Sequence, residues 1–164
     1  MPSEIEKIQH DLVLCIDKPY QWTSFDVVRK VRRVLQMKKV GHAGTLDPLA
    51  TGLLIVCSGK KTKTIESLMD DEKEYSGAIS LGATTASYDL ELPLENITDI
   101  SHLTEIEIRK TVLQFLGTIT QTPPIYSAIK VDGKRAYDEA RKGNEVVLKK
   151  RNVFVKSFTI DRIE

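Results

Sequence analysis

"GHAGTLDPLATGLLIVCSG", residues 41–59, sets a loop of small residues directly against an apolar run. The run, "LLIVCSG" (53–59), has the continuous apolar character of a central strand. The part before it, residues 41–52, holds three glycines, one histidine and a single carboxylate, Asp47. Each glycine would weaken a strand, so the spacing predicts a tight loop here. A chain in which 29% of residues are charged places only one acid in that loop. The residues alone leave two readings open. Asp47 followed by Pro48 suits a capped turn, and a lone carboxylate among small residues also suits chemistry.

Working outward, "LVLCID" (12–17) reads as a short buried strand and "KPYQWTS" (18–24) as a loop, because Pro19 biases Lys18 toward extended geometry. Ser24 can cap a helix at about 25–36, in which Val27, Val28, Val31, Val34 and Leu35 share one face and the basic residues point mostly outward. Downstream, 60–71 predicts a short helix and "KEYSGAISLG" (73–82) another strand, while 83–103 has no strong period and reads as a long loop. Thr104 and Glu107 make a capping box ahead of a helix at 105–116. Residues 117–143 carry a Pro-Pro pair and the turn signal "VDGK", which predicts an irregular arm of strand, turn and a short helix at 135–142. Residues 146–163 alternate well enough for one or two strands. Strands and helices interleave without a strict βαβ rhythm, so the expected class is α+β with a mixed sheet.

The 164 residues, 41% hydrophobic with a formal charge of +1, have the composition of a soluble globular domain. No apolar run approaches the roughly 18 residues that span a bilayer. The N-terminus lacks a basic segment ahead of its apolar patch, which argues against a signal peptide. Cys15 and Cys57 each lie in an apolar run and are expected as reduced, buried thiols of a cytoplasmic protein. Charge is segregated: Val27 to Leu46 holds six basic residues and no acid, and Asp89 to Glu107 holds six acids and no Lys or Arg. That asymmetry permits a polyanion on one face, although solvated surface explains it as well. No metal-ligand spacing, phosphate-binding glycine pattern or serine-hydrolase elbow accompanies the loop.

Residues 41–63, "GHAGTLDPLATGLLIVCSGKKTK", closely resemble the catalytic motif of TruB-type tRNA pseudouridine synthases, and "LGATTASYD" (81–89) resembles the stand-alone bacterial type. The flanks agree in the family's order: "LVLCIDKPYQWTSFDVV" resembles its KP motif and first helix, "KEYSGAISLGATTASYD" its K-x-Y strand, and "TPPIYSAIKVDGKRAYDEARKG" its RNA-gripping arm. The resemblance implies a pseudouridine synthase catalytic fold, with a mainly antiparallel sheet flanked by helices. It would occupy 12–164 after a lead-in at 1–11, with the RNA-binding arm at about 120–143.

Residue by residue, it implies Asp47 as the catalytic aspartate. His42 matches the histidine that enters the RNA loop beside the extruded uridine, and Tyr75 the tyrosine that stacks on the target base. Lys18 and Pro19 match the KP pair that supports the site. The implied reaction breaks the N1–C1′ bond of a T-loop uridine in tRNA and rejoins the turned uracil through C5. It requires no cofactor, metal, membrane or obligatory protein partner. Asp47 could attack C1′ or take a proton from C2′. The uridine must first be flipped out, at roughly a few kcal/mol, partly recovered by stacking on an aromatic ring.

One feature departs from the pattern. The family's Y-x-R motif, whose arginine would face Asp47, has no counterpart downstream of Arg151, nor does the family's C-terminal RNA-binding region. The resemblance therefore implies a catalytic domain incomplete at its C-terminus, and an alternative reading: a fragment that grips the T-arm of tRNA without performing chemistry.

Overall fold

A computed structural model of the chain describes residues 11–123, 130–131, 134–135 and 148–164. They fall in two compact units, Met1–Gly77 and Ala78–Glu164. The class is α+β, and every strand pairing among the described residues is antiparallel.

The first unit is built on a three-stranded sheet. Strand β1 (Val13–Lys18), helix α1 (Ser24–Val34), β2 (Val40–Ala43), β3 (Gly52–Ser58) and a short helix α2 (Ile65–Met69) follow in chain order. The apolar run takes the central place expected of it, in the order β1-β3-β2. Val13 pairs with Cys57 and Lys18 with Gly52 on one side; Val40 pairs with Ser58 and Ala43 with Ile55 on the other. The connection 44–51 therefore leaves the sheet at the end where Lys18 lies.

Strand β2 corrects the reading of 41–52 as loop throughout. Gly41 fits the strand because a Cβ there would come within 2.8 Å of Ile65 Cδ1, so the bare backbone makes room for α2. The other two glycines bound the loop proper, with φ of +94° at Gly44 and +111° at Gly52, where a side chain would be strained.

Helix α1 starts one residue earlier than expected, because Thr23 and not Ser24 is its cap. Thr23 Oγ1 accepts from Asp26 N at 3.1 Å, and the Asp26 carboxylate accepts from Thr23 N at 2.9 Å. Val27, Val28 and Val31 pack with Val40, Leu54 and Val56 into the core. The helix ends with Gln36 at φ +52° and Met37 N donating to Arg32 O at 3.0 Å, a Schellman-type closure. Arg29, Lys30 and Arg33 are exposed as expected, but Arg32 is half-buried and donates to Val40 O at 2.9 Å. The Arg29 and Arg32 guanidinium groups lie 5.8 and 5.7 Å from the centre of the Phe25 ring.

The cap makes α1 acid-sensitive. Hydrogen bonds from the Thr23 side chain, then from Arg29 and the Thr23 backbone, pull the Asp26 carboxyl down from 3.8 to about 2. A carboxyl depressed on folding stabilises above its unfolded value and loses that contribution as pH falls through its folded value. Stability of the wild type should therefore fall between pH 3.8 and about 2 more steeply than that of Asp26→Asn. Parallel acid titrations followed by circular dichroism check this; equal slopes would remove Asp26 as the cause.

In the second unit, 83–103 is irregular apart from a bridge between Thr84 and Glu95. The expected capping box opens α3 (Glu105–Val112), with Thr104 Oγ1 accepting from Glu107 N at 3.3 Å, and a 3₁₀ turn continues to Phe115. Strand β4 (Gly117–Gln121) pairs with β7 (Arg151–Val155), so one strand forms among the described residues of 146–163. Strands β5 (Lys130–Val131) and β6 (Lys134–Arg135) pair across the "VDGK" signal, Val131 with Lys134. The rest of the arm lies outside the described residues, as does the helix expected at 135–142 apart from Arg135, which belongs to β6.

Two expectations fail. Residues 73–82 form no ladder with any described residue, and Ile79 and Leu81 are exposed: strand propensity needs a neighbouring edge to pair with, and no described strand offers one. Cys57 is buried, but Cys15 is exposed, on the open face of β1 with Val13 and Asp17. Both thiols are free. No described helix is long and apolar enough to cross a membrane.

Candidate active site

Lys18 ends β1 with its side chain fully buried, at 0% exposure. Its ammonium meets three carbonyl oxygens, those of Trp22 at 2.5 Å, Pro19 at 3.2 Å and Pro48 at 3.3 Å. Three donors thus find three acceptors, which is how a buried ammonium is tolerated. Burial pushes the Lys18 ammonium down from its usual value, and the carboxylates of Asp47 and then Asp26 oppose that shift. Asp47 is thereby within electrostatic reach of Lys18.

The segment after Lys18 folds back on itself. Trp22 N donates to Pro19 O at 3.3 Å, and Gln21, at φ +65°, takes the left-handed position usually given to glycine. That turn aims Gln21 N at Pro48 O, 2.8 Å away. Pro48 is therefore held by both Lys18 and Gln21. On the other flank of Asp47, Ser24 Oγ donates to Leu46 O at 3.1 Å and accepts from Leu46 N at 2.9 Å.

Asp47 itself is exposed. Its carbonyl accepts from Ala50 N at 3.0 Å, so "DPLA" closes a turn with proline at its second position; no helix follows for the aspartate to cap. No described residue donates a hydrogen bond to its carboxylate. Both oxygens are thus open to an incoming substrate while the backbone on either side is fixed.

His42 lies on β2 opposite Val56, half-buried. Its Nδ1 is 2.7 Å from Gly44 O. A carbonyl only accepts, so Nδ1 donates to it, and the tautomer protonated there leaves Nε2 as an acceptor. Lys18 and the Asp47 loop thus lie at one end of the first unit's sheet, whereas His42 lies further along β2, level with Val56 and Leu14. Tyr75 is placed otherwise: it lies in the unpaired segment, 76% exposed, with no hydrogen bond or ring contact to a described residue. Sequence reasoning missed Ser24 as a holder of the loop. The signal was present in "TS": two adjacent hydroxyls precede a helix that has one cap position to fill.

The model of the TruB family pseudouridylate synthase N-terminal domain matches residues 32–164. The chain belongs to the TruB family of pseudouridylate synthases. It is 49% identical over 158 residues to tRNA pseudouridine synthase B of Flavobacterium johnsoniae, covering 92% of this chain and 69% of that protein. To the protein of the same name from Phocaeicola vulgatus it is 51% identical, covering 93% of this chain and 65% of that one. The chain thus spans about two thirds of the length of these TruB relatives. Among solved structures it is similar to a chain of a Cbf5-Nop10-Gar1 complex, with a TM-score of 0.50 and 27% identity, covering 78% of this chain and 33% of that one.

Proposed function

We propose that the protein isomerises a T-loop uridine of tRNA, position fifty-five in tRNA numbering, to pseudouridine, with Asp47 as the catalytic carboxylate and residues 12–164 as the catalytic domain. The observation that carries this reading is the state of Asp47: anchored on both flanks, yet with a carboxylate that no described residue engages. A carboxylate that attacks C1′ or takes a proton from C2′ needs a fixed backbone and free oxygens. Membership of the TruB family, and the name tRNA pseudouridine synthase B borne by its relatives, support the reaction and the RNA.

His42, on the strand leading into the loop, stands beside the extruded uridine and offers Nε2 as an acceptor. Tyr75 supplies the face on which the flipped base stacks, worth about 1–3 kcal/mol for an aromatic under a base. Its exposure leaves that face open. Lys18 supports the loop from behind.

The substrate is tested with tRNA transcripts and the complete gene product containing residues 1–164. Modification should map to position fifty-five and vanish when that uridine is replaced by cytidine. Modification at another uridine would overturn the proposed specificity.

Exposed Lys30, Arg33, Lys38 and Lys39 supply charge for the RNA backbone on the same unit as Asp47. Affinity for a T-arm stem-loop should therefore fall steeply with salt, with a log–log slope of about −0.9 for each duplex phosphate neutralised. Filter binding across a salt series measures it, and a flat line would assign those charges to solvation alone.

A further inference from the structure

We propose that Ser24 is a positioning residue for Asp47, an inference that rests on the function proposed above. Ser24 is 3% exposed. Its hydroxyl is not spent on the helix, because Thr23 fills the cap. It both donates to Leu46 O and accepts from Leu46 N, at 3.1 and 2.9 Å, much as a second strand would. Leu46 immediately precedes Asp47, and its side chain packs against the core. A residue held at N–H, at C=O and by its side chain has little freedom to turn.

This anchor matters because the carboxylate has no other restraint among the described residues. Its place is set by backbone torsions at Leu46 and Pro48. Pro48 is held from Lys18 and Gln21, and Leu46 from Ser24. All three holders come from the short run 18–24, so that run fixes the aspartate from both sides without touching its oxygens. Losing the Ser24 side frees the torsions that aim the carboxylate at the ribose. Binding of tRNA, spread over many contacts, depends little on them.

The test compares Ser24→Ala, Ser24→Thr and Thr23→Ala in the complete gene product. Thr23→Ala weakens the start of the same helix while leaving the Leu46 bonds in place. Ser24→Ala should lower kcat roughly tenfold to a hundredfold, with KM for tRNA changed by less than about threefold, as expected when a reacting group is misplaced. Ser24→Thr, which keeps the hydroxyl, should recover kcat, and Thr23→Ala should leave it near wild type. Amide exchange over residues 44–51 should rise about tenfold in Ser24→Ala and not in Thr23→Ala, because local opening is governed by local bonds. The proposal is overturned if Ser24→Ala keeps wild-type kcat, if Thr23→Ala loses as much, or if exchange over 44–51 is unchanged. A wild-type protein that forms no pseudouridine would instead refute the function proposed above, and the exchange measurement would still decide whether Ser24 holds the loop.

Discussion

Asp47→Asn is expected to abolish pseudouridine formation by the complete gene product, lowering turnover by at least about a thousandfold, while affinity for tRNA stays within several-fold. The amide is nearly isosteric with the carboxylate, but it neither attacks C1′ nor takes a proton from C2′. The fold should tolerate the exchange, because the Asp47 side chain is exposed and receives no hydrogen bond from a described residue. Its one evident electrostatic neighbour, Lys18, keeps three carbonyl partners. Single-turnover kinetics beside a binding titration separates the two effects. Residual turnover within about tenfold of wild type, too small a loss for removing a reacting group, would take the catalytic role away from Asp47.

Lys18→Met should be the most damaging substitution for stability. Methionine has similar length but no donor, so Trp22 O loses its ammonium partner, while Pro19 O keeps only the bond from Trp22 N and Pro48 O only the bond from Gln21 N. The one acceptor left unpaired costs about 1–3 kcal/mol and the two others are weakened, against which the variant gains relief from burying a charge; the net loss should be about 1–3 kcal/mol. Lys18→Arg should not rescue it, because a planar fork suits flat, two-toothed acceptors and not three converging carbonyls. Turnover should fall too, since Pro48 adjoins Asp47. Urea unfolding measures the loss, and a change under about 0.5 kcal/mol would mean those bonds are replaced by water at no cost.

Much of the first unit was legible because its signals are local. Val27, Val28 and Val31 of α1 fall on the core face, although Val34, expected with them, is exposed, and the apolar run at 53–58 is central. The capping box of α3 follows from residue types three apart, whereas at α1 the choice between Thr23 and Ser24 was not local. It depended on Leu46, twenty-two positions away, offering Ser24 a better use. Strand β2 was hidden for a similar reason: the glycine that argued against it serves the packing of Ile65, which no window around residue 41 contains. The strand expected at 73–82 is a separate case, since the segment pairs with no described residue.

For the site, the loop and its aspartate stood out by composition, whereas their chemistry came from resemblance to the TruB family. The three-carbonyl seat of Lys18 was not legible, because a lysine between a strand and a proline reads as surface. Tyr75 shows the remaining gap. Its proposed role rests on its match to the K-x-Y segment alone, and the described residues leave the ring exposed.

The most direct test follows the atom that the reaction must expel. Joining uracil to C1′ through C5 displaces the hydrogen on C5, and no hydrolysis or simple binding does so. Transfer RNA carrying tritium at C5 of its uridines, incubated with the complete gene product, should release one tritium to water for each pseudouridine formed, and Asp47→Asn should release none. Binding of the same RNA without tritium release by the wild type would contradict the account and leave the site as an RNA grip alone.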